Sequence, residues 1–514
     1  MDDTSQHQNL ILPAIATLIA AYILSKLAKW VIAESQKVCS FNGRPCEAPP
    51  MRPESWYTFG LAGQLRTIKS AQAQRLPARM AELCEELGDT WAYTLFGTRT
   101  IITRDHRNVQ AMLATQFDDF TLSTDRDAMH QLLGTNAIFT QSGHAWKSSR
   151  ALLKPTFDKA SIADLDRLEL FFLQFRDRIS SSLSEAGTIE LQSLLQKLTM
   201  DSSADFLLGS PVGALQEANN PSVNAANFTE SFDIAQQVIV TRWLLNHLFW
   251  LYNPPHFRAA CSVVHEQVQK FVQKALIKPK NEKRYIFTEA LAEATKDAKV
   301  IQDQVLSVML AGRDTTASLL AWTVLSLSRH PEVLEKLRAA VATAVGVGES
   351  AKIPTQEELR GITYLKWVLH EVLRLYPPVY ANTRCAAKAT TLPYGGGKDG
   401  QSPIALKKGE RVVASFFGLM RRKDLYGEDA EEFRPERWGE EQLRKIGWGW
   451  VPFNGGPRIC LGQQMALTHA SYFLVRILQT WEKLEEDEKF KQKEITYDAK
   501  ITMYSGLGVN VKLA

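Results

Sequence analysis

One cysteine, Cys460, closes the stretch Phe453-Asn-Gly-Gly-Pro-Arg-Ile-Cys460-Leu-Gly462. Gly455, Gly456 and Pro457 make the segment before it a turn, and an apolar helical pattern follows (Met465, Ala466, Leu467, then Tyr472, Phe473, Leu474). A sulfur at the start of a helix meets the positive end of the macrodipole and free backbone N–H groups, which favour a thiolate. Such a thiolate is a competent axial ligand for haem iron. Gly456 and Gly462 would let a flat macrocycle approach the backbone, and Phe453 would supply an apolar wall. Arg458 is placed to meet a carboxylate such as a haem propionate. An isolated cysteine is more often a small buried hydrophobe. The reading therefore depends on the rest of the chain.

A second segment carries chemistry in an unexpected setting. Residues 299–329 are apolar on nearly every face (Val305, Leu306, Met309, Leu310, Leu319, Leu320, Trp322), the pattern of a helix buried through a core. Its middle reads Ala311-Gly312-Arg313-Asp314-Thr315-Thr316, a polar break in an apolar rod. Thr315 can bond the Ala311 carbonyl four residues back, which loosens the helix. A tolerated kink would explain the break. A dioxygen pocket with a proton path through Asp314 and Thr315 would also explain its composition.

Two side-chain pairs complete the set. In TYLKWVLHEVLRLYPP, Glu371 and Arg374 share a helix face, and Pro377 and Pro378 stop that helix. Their apolar neighbours (Val368, Leu369, Val372, Leu373) suggest a partly buried pair that needs a third partner. Trp146 and Arg150 stand four apart on another helix, a spacing that is more often a surface stacking pair.

Taken together, F-x-x-G-x-R-x-C-x-G, A-G-x-D-T-T, E-x-x-R followed by Phe433-Arg-Pro-Glu-Arg437, and W-x-x-x-R resemble the motifs of the cytochrome P-450 superfamily, the haem-thiolate monooxygenases. The resemblance implies a mainly α fold with minor β and haem b ligated axially by Cys460. It implies that Trp146 and Arg150 hold one propionate, Arg384 the other, and that Ala311 and Phe453 lie against the macrocycle. Asp314 and Thr315 would deliver protons to dioxygen, and Arg437 would join Glu371 and Arg374 in a structural triad. Segments such as FDDF at 117–120, TTLPYGGGKDGQSP and RRKDLYGEDAEEFRPERW look like the fungal branch that hydroxylates n-alkanes and fatty acids. Tyr380 and Met420 depart from that branch, where proline and histidine are usual. A tailoring oxygenase of fungal specialised metabolism is the alternative. A non-oxygenating isomerase of the same fold is a further one, although such enzymes can dispense with the Asp–Thr pair present here.

The elements that must position these residues are legible in outline. The chain has 514 residues, 45% of them apolar and 23% charged, and a net charge of only +4, which gives no argument for nucleic acid. Six scattered cysteines with no C-x-x-C spacing suit a reducing compartment. From Thr4 to Ser25 no charged residue occurs, and Leu10–Ile32 is long enough to cross a bilayer. A cleaved signal peptide or a buried helix would also produce such a run. Asp2 and Asp3 precede it while Lys26, Lys29, Lys37 and Arg44 follow, so the positive-inside rule places the body in the cytosol, and the resemblance implies that the membrane is that of the endoplasmic reticulum. The expected organisation is a lumenal 1–9, an anchor helix 10–32, a Pro-rich hinge 33–59 and a catalytic domain 60–514.

Within that domain we expect a helix over 65–87, a strand pair around Gly97, and mostly helix over 105–380. The tail ITMYSGLGVNVKLA reads as a hairpin bending near Gly506 and Gly508. The aromatic segment Phe228–Leu276 is either a lipid- or substrate-facing patch or a pair of packed helices. Asn227-Phe-Thr229 is a glycosylation acceptor that a cytosolic body would leave unmodified, and Gly395–Gly397 reads as a surface turn. No cysteine cluster is present, and the G-x-G-x-x-G match Gly395–Gly400 lies in that turn with no strand-to-helix switch around it, so electrons are expected from an NADPH-dependent cytochrome reductase in the same membrane. Arg421, Arg422, Lys423, Arg444 and Lys445 could dock it, or could simply be a solvated face.

Overall fold

The computed structural model describes residues 40–54, 56–157, 164–183, 187–216, 225–277, 284–491 and 493–514. The expected anchor at 10–32 lies outside the described residues. Among those described, no helix is long and apolar enough to cross a membrane.

Helices and strands are numbered in chain order. The helices of eight or more residues are α1 (Leu61–Gln72), α2 (Leu76–Leu87), α3 (Gly143–Leu153), α4 (Leu165–Ser182), α5 (Leu191–Leu208), α6 (Ala225–Leu245), α7 (Pro255–Ile277), α8 (Phe287–Ala294), α9 (Ala298–Arg329), α10 (Pro331–Val345), α11 (Thr363–Leu375) and α12 (Gln463–Thr480). The strands of three or more residues are β1 (Thr90–Leu95), β2 (Thr98–Thr103), β3 (Phe120–Leu122), β4 (Thr188–Glu190), β5 (Ala381–Ala386), β6 (Thr390–Gly396), β7 (Ser402–Leu406), β8 (Arg411–Ser415), β9 (Leu484–Glu486), β10 (Tyr497–Ala499), β11 (Met503–Ser505) and β12 (Asn510–Leu513).

Helix α9 organises the molecule. Asp297 caps it by accepting from the Lys299 and Val300 N–H groups, and Pro331 follows its end at His330. Nearly all its residues are buried, so the apolar rod read from the sequence is a central helix. It packs against α5, α7, α11 and α12, and its C-terminal half lies in the largest apolar cluster with Val372, Phe473 and Leu474. Its N-terminal half lies in a second cluster with Phe232, Phe257 and Val264. The site described below sits where these two halves meet.

The main sheet runs β1-β2-β8-β5-β3, with β2 and β8 parallel (Ile101 opposite Val412) and the other pairs antiparallel. The pair around Gly97 is therefore present as β1–β2. Three local expectations differ. The helix over 65–87 is two helices, broken where Gln74 takes a left-handed φ of 55°. The tail is not a hairpin: β11 pairs with β10, while β12 lies between β9 and β4 in another sheet. Alternation marks a strand but does not name its partner. Of the three glycines at 395–397, Gly395 and Gly396 end the buried part of β6 against Thr90 and the Glu47 carbonyl, and only Gly397 begins the turn. The described part of the Pro-rich segment is tied down as well, with Arg52 N–H bonding the Ala92 carbonyl at 2.8 Å and Ala92 N–H the Pro50 carbonyl at 2.8 Å.

Candidate active site

Cys460 precedes α12 and faces a cavity of 570 Å³ whose walls also include Ala311, Thr315, Phe453 and His469. The loop that holds it is fixed by its own backbone: Cys460 N–H donates to the Phe453 carbonyl and Ile459 N–H to the Gly456 carbonyl, both at 3.0 Å. Burial among protein atoms raises the thiol pKa, while the Gly462 N–H and the Arg150 charge favour the thiolate. Gly456 has a role other than the one expected. Its φ is +64°, and a Cβ there would stand 2.0 Å from the Leu113 carbonyl oxygen, so the glycine lets the loop pack against residues 111–115. At Gly462 a Cβ would touch only Phe157, at 3.7 Å.

Among the arginines that line the same cavity are Arg126, Arg150, Arg384 and Arg458. Arg458 lies over the Trp146 ring at 4.3 Å and donates to the Gln141 carbonyl at 2.7 Å. Arg150 is 5.9 Å from the same ring and donates to the Ile459 carbonyl at 3.0 Å. Arg384 donates to Asn382 Oδ1 at 2.8 Å, and Arg126 reaches that oxygen at 3.4 Å. No carboxylate of the described residues forms an ion pair with any of the four. Burial, then repulsion by Arg126 and Arg458, pulls Arg384 down to about 9. Burial, then Arg126 and Arg150, pulls Arg458 down to about 10. Gathered positive charge of this kind is costly unless an anion arrives from outside the chain. A flat apolar cofactor with two carboxylates and a need for a thiolate ligand, such as haem, fits this donor set.

The helix break at 311–316 behaves as the spacing predicts at one residue and not at its neighbour. Thr315 Oγ1 donates to the Ala311 carbonyl at 2.6 Å, and Ala311, Gly312, Thr315 and Thr316 line the cavity. Asp314 does not line it. One residue is about 100° of helix rotation, so Asp314 points away toward α6 and β11. There Tyr504 Oη donates to the Asp314 backbone carbonyl at 2.8 Å.

Glu371, Arg374 and Arg437 come together with no exposed side-chain surface. Glu371 Oε1 lies 2.8 Å from Arg374 Nη2 and 2.8 Å from Arg437 Nε. The remaining guanidinium donors reach backbone carbonyls of Met420, Tyr426, Asp429, Ala430 and Glu432. The triad thus ties α11 to the segment just ahead of the thiol loop. Met420 contributes its carbonyl to this network, and Tyr380 lines the cavity with its phenol pushed up to about 12 by burial.

Other expectations separate in the structure. Arg421 stacks on Phe417 and pairs with Glu431, Arg422 pairs with Asp89 and Asp424, and Lys423 with Glu428, so these three cations have local partners. Arg444 and Lys445 are exposed. In the aromatic segment, Phe228, Phe232 and Phe257 are core, Trp243 faces the cavity, and Trp250 and Tyr252 are exposed. Arg126 joins the site without any sequence signal; it stands in a 3-10 turn (Thr124–Met129) with no motif around it. What marks it is unpaired charge in space, which no linear spacing encodes.

A cavity of this size with a thiol at one end and unpaired guanidiniums beside it suits a thiolate-ligated, dianionic cofactor. The cytochrome P450 family model matches residues 49–505. Cytochrome P450 52A13 of Debaryomyces hansenii is 40% identical, with 96% of each chain covered. Cytochrome P450 52A4 of Candida maltosa is 44% identical over 76% of this chain and 75% of that one. Cytochrome P450 monooxygenase g430 of Fusarium sp is 38% identical over 93% of this chain and 86% of that one. The chain belongs to the cytochrome P450 family. It is accordingly a haem-thiolate oxidoreductase that acts as a monooxygenase on a lipophilic substrate.

Proposed function

We propose that Cys460 is the axial thiolate, that Trp146, Arg150, Arg384 and Arg458 hold the propionates with Arg126, and that Ala311 and Phe453 flank the macrocycle. The observation that carries this reading is the coincidence of a thiol that opens onto the cavity and four cations without carboxylate partners on the same cavity. When bound, the haem supplies reductive activation of dioxygen, one atom going into a C–H bond and the other to water. Thr315 holds a hydroxyl at the cavity wall through its bond to Ala311, where it can pass a proton; Asp314 behind it is the acid that replenishes that proton. Glu371, Arg374 and Arg437 fix the loop beneath. Val308, Leu310, Phe206, Leu244 and Phe416 offer the substrate an apolar wall that excludes water.

The substrate we infer is a long alkyl chain, a fatty acid or alkane. Support comes from the apolar wall and from the resemblance of residues 117–120, 390–403 and 421–438 to the fungal alkane and fatty-acid hydroxylases. Purified protein titrated with fatty acids, alkanes and polycyclic metabolites should show haem spectral shifts with the linear chains and hydroxylated products on turnover. Shifts with polycyclic ligands alone would overturn the assignment.

The protein works, in this reading, as a single-pass enzyme of the endoplasmic reticulum membrane anchored by residues 10–32, its domain 60–514 facing the cytosol and a flavin reductase supplying electrons from NADPH. Tyr57, Phe59 and Leu65 are exposed beside Leu248, Trp250 and Leu251, and Gln64 Nε2 joins the two groups by donating to the Leu244 carbonyl at 2.6 Å. Grouped exposed apolar side chains of this kind suit a lipid surface.

A further inference from the structure

Asp314 sits among charges that its proton role does not by itself require. Arg313, next to it, is 2% exposed and carries its guanidinium between two carboxylates. Its Nη1 donates to Asp233 Oδ1 of α6 at 2.6 Å, whereas its Nε lies 3.6 Å from Asp314 Oδ1, beyond a hydrogen bond. Arg313 Nε and Asp314 Oδ2 are both buried without a hydrogen-bond partner. Asp233, by contrast, has 53% of its side chain exposed. The arginine is thus committed to the outer, solvated acid, while the inner, buried acid is left under-satisfied. Few native structures tolerate that arrangement without a use for it.

We propose that Asp233 competes with Asp314 for the Arg313 guanidinium and thereby keeps Asp314 protonated until it gives its proton to Thr315. This rests on the reading of Asp314 and Thr315 as the proton-supplying pair. While Arg313 stays on Asp233, burial and the unpartnered Oδ2 favour the neutral acid at Asp314. When its proton leaves toward Thr315, the new carboxylate attracts Arg313 over the 3.6 Å gap, and Asp233 is left to solvent, where its charge is hydrated. Uptake of one proton from water restores the acid and returns Arg313 to Asp233. The groups facing Asp314 fit this cycle: Arg313 on its own helix, Asp233 and Gln236 from α6, and Tyr504 from β11, itself beside Gln196 of α5. Burial raises the Asp314 pKa most, and Asp233 raises it further against the opposing pull of Arg313. Asp233 is a positioning residue here and touches neither cofactor nor substrate.

The test is an infrared pH titration of the carboxylic-acid band that disappears in Asp314→Asn, measured on the resting holoenzyme, alongside product formed per NADPH. In Asp233→Asn the guanidinium has only Asp314 to serve, so the band should be lost about one pH unit or more lower than in wild type, a tenfold change in the proton equilibrium. Asp233→Glu should restore it, and coupling should fall in Asp233→Asn and recover in Asp233→Glu. A band that titrates alike in wild type and Asp233→Asn overturns the proposal. If Asp314→Asn itself leaves coupling unchanged, the underlying proton assignment fails instead.

Discussion

Replacing Glu371 by glutamine removes the anion shared by two fully buried guanidiniums. Glu371 accepts from Arg374 Nε and Nη2, Arg437 Nε, the Arg434 backbone N–H and Trp438 Nε1, at 2.8 to 3.1 Å. An amide of the same shape offers one acceptor oxygen and turns two donors toward donors. Arg437 would retain Asp429, at 3.2 Å, but Arg374 would keep only the carbonyls of Met420, Ala430 and Glu432. One uncompensated buried cation costs about 3–5 kcal/mol. With an unfolding entropy of about 2.1 cal/mol/K per residue, a chain of 514 residues loses about 3–5 °C of Tm. Lys352→Ala is the control, because its 2.6 Å pair with Glu358 lies at the surface, where screening by water leaves an ion pair little effect on stability. Circular-dichroism melts of the three purified proteins should rank Glu371→Gln well below the other two. A Glu371→Gln variant melting with wild type would refute the reasoning that the triad is a desolvated charge cluster.

Three further outcomes follow from the same geometry. Arg384→Gln should release haem to an acceptor protein roughly ten- to a hundredfold faster, since a charge-assisted bond contributes about 1.5–3 kcal/mol; an unchanged rate would mean that Arg384 meets no propionate. Gly456→Ala must strain a φ of +64° and push the loop off the Leu113 carbonyl, so haem content should fall while far-ultraviolet helicity persists, and full haem content would contradict the packing. His370, between Trp438 and Trp450, is held neutral, burial pulling it down to about 4. The unfolded imidazole binds a proton near pH 6.5 and the native one does not, so stability is full above that pH and declines as pH falls toward 4, by about 2 kcal/mol at pH 5. His370→Phe should flatten the fall in Tm between pH 7 and pH 5, and identical acid profiles would count against it.

How much of the fold and site is legible in the sequence depends on whether the information is local. Cys460, Glu371, Arg374 and the Thr315–Ala311 bond follow from spacings within one turn or one helix, and the structure has those geometries. Asp314 and Thr315 are adjacent in sequence yet only Thr315 reaches the cavity, because the orientation of α9 is set by packing against α5, α7, α11 and α12 rather than by the motif. Arg126 is significant only through Arg384 and Arg458, which are distant in the chain. The break at Gln74 follows from a left-handed residue that carries no glycine signal. The tail strands look like one hairpin because alternation is silent about partners. Gly456 is indispensable, as the turn suggests, but for a different neighbour: its close contact is the Leu113 carbonyl.

The central claim is that Cys460 ligates the cofactor iron as a thiolate, and the difference spectrum of the dithionite-reduced, carbon monoxide-treated protein tests it most directly. Wild type should show the band of a thiolate-ligated complex, and Cys460→Ala, even when reconstituted with haem, should lack it. Persistence of that band in Cys460→Ala would place the ligand elsewhere.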